Sequence, residues 1–161
     1  MKWEEVGDSA CPVARATAVI GDRWTLLIVR EALLGARTFS DFERQLQISP
    51  HLLSTRLVRL IEDGIIARVD DGYRLTPAGR DLQPIIVMIS AWGDRWRAGP
   101  NGPDARQRHR HCGHAFSPTI ACSECGEPVG PRDLKTEFSP ALTAERTARA
   151  VTSQPRQRAR Q

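Results

Sequence analysis

The stretch ISPHLLSTRLVRLIEDGIIARVDDGYRLTPAG, Ile48 to Gly79, decides the fold. Its first half carries Leu53, Leu57, Leu60 and Ile61 at helical spacing, an apolar stripe of the kind an ordinary core covers. His51, Thr55 and Arg59 fall on the opposite side, with Arg56 on the flank. Ser49-Pro50 supplies a cap and a first turn, and Gly64 a stop. The second half alternates, and Asp71-Gly72 suits the two-residue turn of a tight hairpin. The polar stripe has no part in a core, so its partner must be sought outside it.

Upstream, Cys11-Pro12 reads as the cap and first turn of a helix that stops at Gly21. Asp22 caps a second helix, which Gly35 ends. After an extended piece at Arg37 to Phe39, Ser40 with Glu43 has the spacing of a capping box and opens a short third helix, Asp41 to about Leu46. Downstream of the hairpin, Thr76-Pro77 opens one long helix carrying Leu82, Ile85, Ile86, Ile89 and Trp96, with a bend expected at Pro84. The segment RAGPNGPDARQ reads as a linker, and a cysteine cluster follows. The end of the chain lacks periodicity and large apolar residues and is expected to be disordered. No internal repeat is evident in the sequence.

The resulting fold class is mainly α with a small β-hairpin wing: a winged helix-turn-helix domain plus a small zinc-ribbon-like module. The expected boundaries are an N-terminal arm (1–10), the winged domain with its dimerisation surface (11–97), a linker (98–108), the metal module (109–133) and a disordered basic tail (134–161).

A chain of 161 residues supports one domain with a small appendage. The formal charge of +4 arises in residues 138–161, where Arg146, Arg149, Arg156, Arg158 and Arg160 stand against the single acid Glu145. Residues 1–137 are therefore formally neutral, and any nucleic-acid argument rests on where arginines sit. The longest apolar run, Ile85 to Trp92, is too short to span a bilayer, and the first residues are acidic where an export signal needs apolar ones. A cytoplasmic protein with no membrane partner is expected.

In a winged helix-turn-helix the second helix packs one face on the core and offers the other to the major groove. Ser49, His51, Ser54, Thr55 and Arg59 carry the hydrogen-bonding groups that base edges and phosphates require, and Arg56 suits a phosphate. Arg68 and Arg74 flank the hairpin turn, within reach of the DNA backbone or minor groove. The plain alternative is a solvated face, with Glu62, Asp63, Asp70 and Asp71 repelling DNA; those acids lie at the helix end and the hairpin tip.

The residues CPVARATAVIGDRWTLLIVREALLGARTFSDFERQLQISPHLLSTRLVRLIEDGIIARV, YRLTPAGR and AWGDRW resemble the HxlR-type bacterial transcription regulators, relatives of the MarR group, over about Cys11 to Arg97. The resemblance implies a homodimer acting on a palindromic operator in double-stranded DNA. The sequence has no phosphate-binding glycine loop and no Cys-x-x-Cys outside the metal module, so an enzyme is not expected. The resemblance makes Ser49 to Asp63 the recognition helix, and the N-terminal helix and the helix from Pro77 the dimer contact. Independently, Ile85, Ile86, Ile89, Trp92 and Trp96 exceed what a small winged core can cover, which also favours a second subunit. The MarR relationship leaves room for a small-molecule inducer. The leading expectation is a sequence-specific regulator, a repressor by occupancy; the alternative is a winged-helix adaptor within the transcription machinery.

Cys11 stands at a helix start, where unpaired N–H groups and the helix dipole favour a thiolate. Some HxlR-type regulators sense quinones, aldehydes or oxidants through a cysteine in this region, which makes Cys11 a redox- or electrophile-sensing candidate; the alternative is a small capping residue. Cys112, Cys122 and Cys125 cluster with histidines in HRHCGHAFSPTIACSECG. His109-x-x-Cys112-Gly113 and Cys122-x-x-Cys125-Gly126 read as two metal knuckles, three thiolates and one imidazole suiting a structural zinc ion. His109 restores the x-x spacing, while His111 and His114 compete for the fourth position.

Overall fold

The computed structural model describes residues 6–103 and 105–152; the first five residues of the arm, Asp104 of the linker and 153–161 of the basic tail lie outside the described residues. The described chain divides into two units. One comprises 6–22 with 134–152, the other Arg23–Asp133.

The larger unit is built on α2 (Arg23–Leu34), α3 (Phe39–Leu46) and α4 (Pro50–Glu62), followed by the antiparallel pair β1 (Ile66–Val69) and β2 (Gly72–Leu75). Two further helices, α5 (Pro77–Arg80) and α6 (Gln83–Arg97), complete its regular structure. Its core is Ile28 and Val29 of α2, Phe42 of α3, Leu53, Leu57 and Leu60 of α4, and Ile48, Ile65 and Ile66 at the joints. Leu53, Leu57 and Leu60 of α4 are at most 1% exposed and Ile61 is half-buried, so the apolar stripe read from the sequence is the face that packs. This is a mainly helical winged helix-turn-helix with a two-stranded wing.

Three local readings are corrected. The capping box of α3 belongs to Thr38 and Asp41, not to Ser40 and Glu43. Thr38 Oγ1 accepts from Asp41 N at 3.2 Å, and Asp41 Oδ2 accepts from Thr38 N at 3.0 Å, so the helix starts at Phe39. The hairpin turn is Asp70-Asp71, because Val69 pairs with Gly72. Gly72 instead lets the wing approach the α2–α3 link: a Cβ there would stand 2.2 Å from Arg37 O, and Tyr73 N donates to that same oxygen at 2.8 Å. Finally, Pro84 does not bend one long helix. The chain breaks at Asp81–Leu82, and Pro84 sits in the first turn of a new helix, where its missing N–H costs nothing.

In the cysteine region of this unit, the two x-x-Cys-Gly knuckles read from the sequence share one backbone hydrogen-bond pattern. Phe116 N donates to Gln107 O at 2.9 Å, His109 N to His114 O at 3.0 Å and Gly113 N to His109 O at 2.7 Å. Displaced by 13 residues (His109 to Cys122), Val129 N donates to Ile120 O at 2.8 Å, Cys122 N to Glu127 O at 2.9 Å and Gly126 N to Cys122 O at 2.9 Å. The β-bridges Arg108–Ala115 and Ala121–Pro128 keep the same displacement.

In the smaller unit, α1 (Pro12–Ile20) begins after Cys11, as expected, with Pro12 in its first turn. Part of the expected disordered tail is instead helical, α7 (Pro140–Thr152). Its residues are largely Ala, Thr and Arg, and a tertiary clasp fixes it. Glu145 accepts from Ser9 Oγ and from Ala10 N, both at 2.7 Å, and pairs with Arg149. These bonds hold the Glu145 carboxyl below its usual range, Ser9 contributing most. No helix among the described residues is long and apolar enough to cross a membrane.

Candidate nucleic-acid interface

Ser49 starts α4: its backbone is extended, and its Oγ accepts from Leu52 N at 3.4 Å. From there the 3.6-residue period sends Leu53, Leu57 and Leu60 inward and leaves His51, Ser54, Thr55 and Arg59 exposed. Thr55 Oγ1 donates to His51 O at 2.9 Å, which fixes its rotamer and leaves the oxygen's lone pairs outward. Arg56 lies half-buried on the flank of this face, with its guanidinium Nε buried. Arg59 Nε stands 3.9 Å from Asp63 Oδ2, a loose surface pair. The expected polar face of α4 is therefore assembled on one exposed surface.

One residue of that face was missed. Val58 is 51% exposed, one turn beyond Ser54. Its position in the sequence 51, 55, 58, 62 was signal enough, but an apolar residue was not sought among polar neighbours. An exposed branched side chain at that place suits the methyl group of thymine.

The wing is less uniform than expected. Arg68 pairs across the ladder with Tyr73, and Arg74 with Ala67, so the two arginines alternate onto opposite faces of the ribbon. Arg68 lies 5.9 Å over the Tyr73 ring, whose edge meets Phe42 at 6.2 Å. Arg74 pairs with Asp71 at 3.3 Å. Thr76 fastens the wing's base, its Oγ1 donating to Gly64 O at 2.6 Å. Arg37, expected only as part of an extended piece, is the backbone anchor of the wing through its carbonyl.

The two-helix unit that carries this face is oriented by the α3 cap. The Asp41 carboxyl is held far below the usual carboxylate range, first by the Thr38 N–H and hydroxyl, then by the Arg37 N–H, with Arg44 contributing least. α3 ends on Gln47, a non-glycine residue in the left-handed region (φ 48°), and this sharp turn sets α4 against α3.

Residues 19–100 match the HxlR-like helix-turn-helix family. The chain belongs to that family. It is 41% identical over 140 residues to the uncharacterized HTH-type transcriptional regulators Rv3095 of Mycobacterium tuberculosis and Mb3122 of Mycobacterium bovis, covering 83% of this chain and 89% of each relative. The crystal structure of PA1607 superposes with a TM-score of 0.74 at 32% identity, covering 83% of this chain and 98% of that one. PA1374 from Pseudomonas aeruginosa gives 0.59 at 32% identity, over 86% and 99%. As an HxlR-like chain, it carries its winged unit within the matched span; the knuckle repeat lies beyond it.

The remaining predicted site residues fall elsewhere. Cys11 is half-buried before α1, its N–H donating to Ser9 Oγ at 3.1 Å. Arg15 Nη1 donates to the carbonyls of Ser9 and Ala10, at 3.0 Å each. In the cysteine region His109 Nδ1 lies 3.3 Å from Cys112 Sγ. Cys122 Sγ is approached by the N–H groups of Cys125 and Glu124 and by the Cys125 thiol, which lower its pKa from the usual thiol value. The structure thus brings the four residues together as two pairs. Among the described residues no group of three or more His, Cys, Asp or Glu side chains is gathered around one metal position.

Proposed function

We propose that this chain is a sequence-specific DNA-binding transcriptional regulator, a homodimeric repressor that places α4 in the major groove of a palindromic operator. The observation that carries the reading is the outward face of α4, polar and exposed over a fully buried leucine stripe. His51, Ser54 and Thr55 in the N-terminal half meet base edges, Val58 meets a thymine methyl, and Arg59 meets a base or phosphate. Arg56 and Ser49 position the helix on the backbone, and one of Arg68 and Arg74 follows the flanking groove.

The dimer surface in this reading is the outer face of α6, where Ile85, Met88, Ile89, Trp92 and Trp96 are all exposed. The two tryptophans are 57% and 60% exposed, and a second copy would cover them. A thiol-based response would act through Cys11, the one cysteine outside 112–125. It is tested by operator affinity before and after diamide in the wild type and Cys11→Ser.

The deciding experiment is selection of bound fragments from randomised duplex DNA by the purified protein. The expected result is an enriched palindrome with half-sites about one helical turn, or 10 base pairs, apart. Arg59→Ala should then cost about 1–3 kcal/mol and relax preference at one position per half-site. No enrichment from a folded protein would refute the reading and favour an adaptor without an operator.

A further inference from the structure

We propose that the repeated knuckles form a tetrahedral zinc site, with His109 and Cys112 from the first knuckle and Cys122 and Cys125 from the second. The two halves are equivalent in their backbone bonding. Three backbone hydrogen bonds and one β-bridge recur with the same displacement, although Cys-Gly is the only stretch of sequence the halves share. A hairpin this short, with mostly exposed residues, buries too little apolar surface to hold such a defined shape alone. What the halves preserve is the placement of two donor positions ahead of a glycine with positive φ, 72° at Gly113 and 75° at Gly126.

The equivalence also decides among the histidines. His109 occupies the place of Cys122, and Cys112 that of Cys125. His111 corresponds to Glu124 and His114 to Glu127, positions that carry no thiol in the second knuckle. His109 Nδ1 already lies 3.3 Å from Cys112 Sγ, within one donor pair. A tetrahedral ion takes one such pair from each knuckle, drawing together pairs that are separate among the described residues. Three thiolates and one imidazole are the donor set that borderline-soft zinc prefers, and four protein ligands leave no open position for chemistry. The ion replaces the missing core of this region and rigidifies 107–129.

The test uses the full chain, purified without chelator, with metal measured by elemental analysis and the site read by cobalt substitution. One zinc per chain is expected, with a cobalt spectrum of tetrahedral three-thiolate, one-imidazole type. His109→Ala should weaken zinc by more than about 100-fold, since even outer-shell partners cost 10–100-fold. His111→Ala and His114→Ala should leave the affinity unchanged. His109→Cys should keep the metal and convert the cobalt spectrum to four-thiolate type, a result that misfolding could not mimic. Retention in His109→Ala with loss in either other variant would overturn the ligand assignment. Half a zinc per chain would overturn the pairing of knuckles within one chain. Freely reactive thiols, or a Cys122–Cys125 disulfide, in a folded protein supplied with zinc would overturn the site altogether.

Discussion

Replacing Gly72 by alanine tests how the wing is held to the body of the winged unit. Gly72 has φ 134°, and an added Cβ would lie 2.2 Å from Arg37 O and 3.0 Å from Arg37 C. Both are backbone atoms, so no side-chain rotation relieves the clash; the strand must lift. Lifting it stretches the 2.8 Å bond from Tyr73 N to Arg37 O and moves the Tyr73 ring from the edge of Phe42. The unfavourable φ costs about 1–3 kcal/mol, the hydrogen bond about 1 and the ring contact about 0.5–1.5, partly offset by about 0.4–1 from the stiffer unfolded chain. A net loss of about 1.5–5 kcal/mol follows from those contributions. Gly64→Ala is the control: φ is 69° there too, but nothing lies within 4 Å of the added Cβ, so only about 1 kcal/mol of left-handed strain is expected. Urea unfolding of both variants, read as a midpoint shift at constant slope, measures the difference. If Gly72→Ala shifts the midpoint no more than Gly64→Ala, the approach of the wing to Arg37 does not hold the fold.

Leu57→Ala, at a site 1% exposed in the centre of the core, should lose about 2–5 kcal/mol in the same urea experiment while leaving the preferred DNA sequence unaltered. Gln47→Gly removes left-handed strain at φ 48° and should raise stability by up to about 1 kcal/mol, seen as a higher thermal midpoint. Asp41 has a folded pKa depressed below its ordinary 3.8, so its cap contributes fully above that value and is lost as pH falls through the lower folded one; Asp41→Asn should flatten the acid limb of stability against pH. Asp63→Asn and Asp71→Asn each release an arginine beside the proposed groove, and fluorescence titration should show tighter binding to any duplex, with a salt slope steeper by about 1 for every further phosphate that the freed arginine neutralises.

The elements with their own periodicity were legible in the sequence. α4 was readable because Leu53, Leu57 and Leu60 recur at the helical period between a Ser-Pro start and a glycine stop. The errors arise where two local signals overlap and a contact from elsewhere decides. Thr38-x-x-Asp41 and Ser40-x-x-Glu43 both have cap spacing, and the first wins because Asp41 reaches the N–H groups of both Thr38 and Arg37. Asp71-Gly72 has the chemistry of a turn, yet the glycine is required one place later by the close approach of Arg37. α7 escaped because its anchor, Glu145 on Ser9 and Ala10, joins residues about 135 positions apart, beyond the reach of any local pattern. The two knuckles were legible as x-x-Cys-Gly spacing, while the backbone bonds they share, Phe116 to Gln107 and Val129 to Ile120 among them, have no counterpart in a residue pattern.

The distribution of charge constrains how such a protein can read DNA. Residues 1–137 are formally neutral, so a general positive field cannot supply affinity; it must come from a few arginines placed one by one. Two of these, Arg59 and Arg74, already face a carboxylate at 3.9 and 3.3 Å, in pairs exposed enough to be worth no more than about 1 kcal/mol each. Exchanging such a partner for a phosphate costs little where the helix fits the groove. Where it does not fit, the acid stays beside its arginine and also repels the phosphates. Under the proposed function, the acids at 62, 63, 70 and 71 would weaken indiscriminate binding more than specific binding, because only the specific complex would recover their cost through base contacts from His51, Ser54 and Thr55. In that proposal a neutral body with acids beside the outer face of α4 would act as a device for discrimination, and the even balance of charge agrees with, rather than opposes, a sequence-specific role.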